Sequence, residues 1–118
     1  MRNRVLITGI GLVTPIGIGN KEVFDALCQG KTNMEVISFG NGEEKKFVVG
    51  KVPLTLDNFF EHYDKFKHKK DEEGKNPITK KEIRRMDRVS YLAVIASLYA
   101  ISDAGFDIIK EENVGIVS

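Results

Sequence analysis

From Thr79 onward the sequence asks for a helix that cannot stand alone. Thr79-Lys80-Lys81-Glu82 has the spacing of a capping box, in which a Thr hydroxyl and a Glu carboxylate each satisfy an otherwise orphan backbone N–H. The pattern predicts a helix from about Lys80 to Ala104, with Gly105 as its stop. Its first two turns are cationic. From Val89 on it is apolar nearly all round, through Leu92, Val94, Ile95, Leu98, Tyr99 and Ile101. Such a helix is expected to be buried on several sides, so other elements must surround it.

The rest of the chain offers few candidates to do that. Val5-Leu6-Ile7 is a short β-branched run, expected as a strand buried on both faces as in a parallel sheet. A turn-rich loop follows from Gly9 to Gly19. Asn20 is the expected N-cap of a helix from Lys21 to Gln29, with Gly30 in the C-terminal cap position and Val23, Phe24, Leu27 and Cys28 as one apolar stripe. Phe47 to Val52 is the next expected strand, stopped by Pro53, and Val114 to Val117 is the last. This order, strand, helix, strand, loop, long helix, strand, argues an α/β architecture. One short helix and three strands cannot cover the long helix, and the sequence closes on an apolar run. The expectation is therefore an incomplete, truncated domain with apolar surface left over.

Composition bounds the function classes. With 118 residues the chain is one domain, and its 42% hydrophobic and 30% charged content is that of a globular protein. A net charge of +1 gives no global field for nucleic acid or membranes. No run approaches the ~18 apolar residues of a membrane span. Arg2 and Arg4 before Val5 loosely copy a signal peptide, but Gly9, Gly11, Pro15 and Gly17 would break its helical core. The single Cys28 cannot form an internal disulfide, and a reducing cytoplasm is the expected home.

Single residues give weak signals. Gly9-Ile-Gly11 after a strand invites a dinucleotide-binding reading, but Thr14 stands where the third small residue belongs, and the helix begins late. The alternative is a glycine pair that lets backbone segments approach closely. Cys28, near the wrong end of a helix for a thiolate, is expected to be a buried structural thiol. His62 and His68, six apart in a charged segment, read as solvated surface histidines. Residues 67–76 read as a charged exposed loop.

Charge is clustered in one place. Ten of the 18 Lys and Arg residues fall between Glu61 and Arg88. Seven carboxylates there leave a net of only +3, modest for a nucleic-acid binder. Within it Lys81, Arg84, Arg85 and Arg88 follow the i, i+3, i+4, i+7 spacing of one helix face.

Taken together, several motifs resemble the elongating β-ketoacyl-[acyl-carrier-protein] synthases. Arg4-Val-Leu-Ile-Thr-Gly-Ile-Gly-Leu-Val-Thr-Pro-Ile-Gly17 is similar to that family's opening strand and loop. Ala26-Leu-Cys-Gln-Gly-Lys31 is similar to the close of its first helix, and Val49-Gly-Lys-Val52 to its next short strand. The most specific match is Lys81-Glu-Ile-Arg-Arg-Met-Asp-Arg88 with the finish Asp103-Ala-Gly105. Val114-Gly-Ile-Val117 resembles the strand that ends this part of the family pattern.

The resemblance implies a thiolase-like fold of two α/β halves, of which residues 1–118 would be the truncated beginning of the first, in a homodimeric parent. It implies decarboxylative condensation of malonyl-carrier protein with an acyl chain held on a cysteine, in fatty-acid or polyketide synthesis. It also implies that the catalytic Cys and two His residues lie outside this sequence, since Cys28, His62 and His68 match none of them. This fragment alone would then be inactive, with no bound cofactor or metal. The resemblance assigns carrier-protein binding to Lys81, Arg84 and Arg85 and does not nominate Arg88. The alternatives are a non-catalytic ketosynthase-like subunit of the chain-length-factor type, a carrier-protein docking protein, or a nucleotide-binding α/β fragment.

Overall fold

The computed structural model describes residues 4–40, 44–66, 78–105 and 115–117. In chain order the elements are β1 (Val13–Thr14), β2 (Gly17–Ile18), α1 (Asn20–Cys28), β3 (Met34–Phe39), β4 (Lys45–Gly50), α2 (Phe59–Tyr63), α3 (Lys80–Ile83) and α4 (Arg88–Ala104). The architecture mixes helices with two small antiparallel sheets, β1 with β2 and β3 with β4.

The centre is α4, which ends at Gly105 in the left-handed region at φ 72°. Along one side it carries Ala96, Ala100 and Ala104, a row of small residues four apart. The segment that holds Gly9 and Gly11 lies directly on that row. A Cβ at Gly11 would overlap the Ala96 carbonyl oxygen and stand 2.6 Å from the Ala100 nitrogen. One at Gly9 would overlap the Ala100 carbonyl oxygen and stand 2.7 Å from the Ala104 nitrogen. The match is one of pitch. Two residues of extended chain advance about 6.6 Å, and four residues of helix about 6 Å. Alternate glycines therefore fall in step with successive alanines. Close backbone approach is what this glycine pair provides, and the dinucleotide-cradle alternative has no support in its geometry.

Ile10, between the glycines, is fixed through both backbone groups. Its N–H donates to Asp103 Oδ2 at 2.9 Å, and its carbonyl accepts from Asn20 Nδ2 at 2.6 Å. Asn20 is thus spent on the loop. The N-cap of α1 is Gly19, not Asn20, and no side chain caps it.

On the other side of α4 sits an aromatic core. Leu54, Phe59 and Ile95 are fully buried, and Tyr63, Ile83 and Tyr91 nearly so. Full burial of such side chains stabilises by roughly 1.5–3 kcal/mol each. Phe59 stacks on Tyr63 at 5.4 Å and meets Tyr91 edge-on at 6.4 Å, which fastens α2 to α4.

Several expectations are corrected. Val5 to Ile7 forms no strand among the described residues, and its three side chains are exposed. Gly115 to Val117 is likewise unpaired and exposed, while Val114 lies outside the described residues. Both runs are apolar, and neither meets a partner strand among the described residues. The strand expected over Phe47–Val52 is Lys45–Gly50, paired antiparallel with β3 from Met34↔Gly50 to Phe39↔Lys45. No strand was expected at β3, although Asn41-Gly42 between two β-rich runs is a strong hairpin signal.

The long helix is two helices, α3 and α4, broken over Arg84–Asp87. Asp87 accepts from the Ser90 N–H at 2.8 Å and so starts a new helix where a continuous one was expected. Nor is α4 buried all round. Only Tyr91 and Ile95 are buried, and Val89 is 74% exposed. On α1 the buried residues are Val23 and Ala26, with Phe24, Leu27 and Cys28 turned to solvent.

The glycine contact leads to a direct expectation. Gly11→Ala must push the segment off α4, at a cost of about 3 kcal/mol or more if the backbone cannot yield. Gly115→Ala, where an added Cβ meets nothing within 4 Å, is the neutral control. Chemical denaturation of the two variants checks this. Equal midpoints would show that the contact does not hold the fold.

Candidate functional site

Residues 78–88 concentrate the charge that the sequence singled out, and local capping decides which charges face outward. The Thr79 hydroxyl accepts from the Glu82 N–H at 3.3 Å, and the Thr79 N–H donates to Glu82 Oε2 at 2.7 Å, the complete capping box that the sequence predicts. Those bonds, from the Thr79 backbone N–H and then its hydroxyl, hold the Glu82 carboxyl below the usual carboxylate range. Asp87 is lowered in the same way, first by the backbone N–H of Ser90 and then by its hydroxyl. Both carboxylates of this segment are therefore turned to backbone donors.

The cations have no comparable engagement. Lys81, Arg84 and Arg85 are all exposed. Among the described residues the one ion pair within 4.0 Å is Lys51–Glu35, well away from them. Arg85 feels Glu82 electrostatically, enough to help lower that carboxyl. The three expected docking residues thus lie together on α3 and the turn after it, where Glu82 and Asp87 are engaged by backbone donors. Because α3 is a single turn, its macrodipole opposes these cations little.

Arg88 behaves differently, and the four-cation helix face is corrected here. The break at Arg84–Asp87 places Arg88 on α4, where its guanidinium donates to the carbonyls of Leu54 (3.1 Å) and Val52 (3.0 Å) and to the Tyr91 hydroxyl (2.9 Å). Arg88 anchors the segment that leads into α2. A planar fork of donors suits two neighbouring carbonyls, which a lysine cannot match.

The other candidates stay apart. Cys28 is an exposed free thiol at the end of α1, not the buried structural thiol expected. His62 lies half-buried on α2 rather than solvated, and its buried Nδ1 has no hydrogen-bond partner among the described residues. Burial pushes it below the ordinary histidine range, Lys65 adds to this, and Glu22 and Glu61 oppose it. His68 and the charged loop expected over 67–76 lie outside the described residues. Among the described residues no group of three or more His, Cys, Asp and Glu could hold a metal, and no helix is long and apolar enough to cross a membrane.

The sequence reading missed two site-shaping features. One is Asp103, which ties the Gly9–Gly11 segment to α4. The other is Asp87, whose capping splits the helix; an Asp three residues before a Ser is the signal for it.

Comparison with known proteins identifies the family. Residues 2–118 match the model of the beta-ketoacyl synthase N-terminal domain, and the chain belongs to that family. A Streptomyces violaceoruber protein named for granaticin polyketide beta-ketoacyl synthase 1 is 33% identical over 91% of this chain and 22% of its own length. The 3-oxoacyl-[acyl-carrier-protein] synthase 2 of Staphylococcus aureus is 31% identical over 89% of this chain and 22% of its own length. The tetracenomycin polyketide synthase ketoacyl synthase beta subunit of Streptomyces glaucescens is 25% identical over 95% and 24%, respectively. The chain therefore spans about a fifth to a quarter of the length of these relatives. No solved structure matches it.

Arg88→Met keeps the aliphatic stem and removes the three hydrogen bonds. Water can replace the bond at the exposed Val52 carbonyl more readily than the one at Leu54, so the expected loss is about 1–2 kcal/mol. Unfolding should register it, together with faster proteolysis between Val52 and Phe59. A variant as stable and resistant as the parent would contradict the anchoring role.

Proposed function

We propose that this chain is the opening segment of a 3-oxoacyl-[acyl-carrier-protein] synthase of thiolase-like fold. In fatty-acid or polyketide synthesis the full-length protein condenses malonyl-carrier protein with an acyl chain. Nucleophile and histidines come from the remainder, so the segment on its own does not condense. Its own contribution is to receive the carrier protein at Lys81, Arg84 and Arg85. A homodimeric assembly and a cytoplasmic setting belong to the same reading.

The observation that carries it is the division of charge over residues 79–87. Capping engages Glu82 and Asp87, and three neighbouring cations stay exposed. An acidic partner meets attraction there with little internal competition, which favours encounter and register more than raw affinity. The names of the relatives from Staphylococcus aureus and Streptomyces violaceoruber support the reaction class.

In the full-length protein, reversing Lys81, Arg84 and Arg85 together to Glu is expected to raise KM for the acyl-carrier protein by about 10- to 100-fold, or 1–3 kcal/mol. Reaction with a small acyl thioester that needs no docking should stay within about twofold. Equal loss with both substrates, or with neither, rejects the docking role. A full-length protein that binds carrier but never condenses would instead favour the non-catalytic ketosynthase-like subunit.

A further inference from the structure

Between α2 and α3 lies an open cleft of about 210 Å³, lined by Leu56, Asp57, Phe60, Lys80, Ile83 and Arg84. Its apolar part is built from Ile83, 2% exposed, the half-buried ring of Phe60, and Leu56, 41% exposed. Its cationic part comes from Lys80 and Arg84, one helical turn apart. Arg84 is also one of the three docking residues, so the cleft opens beside that patch.

We propose that this cleft receives one apolar side chain of an acidic partner, whose carboxylates settle on Lys80 and Arg84. The proposal rests on the docking reading and names the feature by which that partner is selected. Size argues for a side chain, because small-molecule pockets run to about 300–1,000 Å³. Charge argues for an acidic neighbour to it. Neither Lys80 nor Arg84 has an ion pair among the described residues. Asp57, the single carboxylate in the lining, repels an acid on its own side of the cleft. The partner's carboxylates are thereby confined to the α3 side, which gives the contact an orientation. Arg88 supports the same wall from behind, since its bonds to Val52 and Leu54 hold the segment that delivers Leu56 and Phe60.

Apolar and ionic contributions separate by their response to salt. The test is binding of acyl-carrier protein to the full-length protein across a range of ionic strength. Leu56→Asn is expected to weaken binding about fivefold at every salt concentration, with the salt slope unchanged. Leu56 lies outside the buried core, and thermal unfolding monitors its fold. Should that variant unfold, Asp57→Asn serves instead. Removing the opposing carboxylate is expected to tighten binding about threefold and steepen the slope. Parent-like binding by a folded Leu56→Asn, or by Asp57→Asn when it replaces that variant, overturns the cleft proposal. The combined Lys81, Arg84 and Arg85 reversal separates the two ideas. If it weakens binding while the cleft variants do not, docking stands and the cleft is wrong. If it has no effect either, the docking reading fails and the cleft proposal falls with it.

Discussion

Backbone lies on backbone at the centre of this structure, and the remaining contacts are arranged around that fact. Gly9 and Gly11 bring an extended segment against Ala96, Ala100 and Ala104 of α4 so closely that a single Cβ would not fit. The contact fixes where Ile10 lies. Ile10 in turn gives its N–H to Asp103 and its carbonyl to Asn20, which brings α1 beside α4. The opposite side of α4 is left to Phe59, Tyr63 and Tyr91. Close backbone contact on one side and aromatic burial on the other make α4 the support of the Gly9–Gly11 segment, of α2 and of Ile83 on α3.

The charged surface follows from that support. Ile83 is buried against the same core, so α3 is held at the N-terminal end of α4 with its charged residues outward. Capping then sorts the charges. Glu82 and Asp87 serve backbone donors, Arg88 serves backbone carbonyls, and Lys81, Arg84 and Arg85 serve nothing comparable among the described residues. Of four cations with one-face spacing, the structure gives Arg88 to architecture and leaves the other three exposed. Sequence spacing cannot make that distinction, because it depends on where the helix breaks and on which carbonyls lie within reach.

Legibility in the sequence tracks how local the cause is. The Thr79–Glu82 box, the Gly105 stop and the body of α1 are set by neighbouring residues, and they were readable. The break at Asp87 was local too, but the strong apolar pattern after Val89 masked it. Strands at Val5–Ile7 and near Val114–Val117 were expected from apolarity alone, and pairing depends on a partner that periodicity does not name. The same limit explains Phe24, Leu27 and Cys28. Their spacing makes a stripe, yet the packed residues are Val23 and Ala26. The proposed docking residues were nominated by a family resemblance, and the cleft beside them was not, since it joins residues 56–60 to 80–84 across a tertiary contact.

An acidic partner that docks on the proposed patch must bring its carboxylates against the lysines of α3. Zero-length carbodiimide coupling of the full-length protein to acyl-carrier protein, mapped by mass spectrometry, tests it most directly. It joins a lysine to a carboxylate only where the two touch. Cross-links from Lys80 or Lys81 to carboxylates of the carrier, lost at high salt, are expected. The exposed lysines of the β4 hairpin, Lys45 and Lys46, are an internal comparison with equal chemical opportunity. Cross-links confined to that hairpin, with Lys80 and Lys81 unmodified by the carrier, would rule out docking at α3.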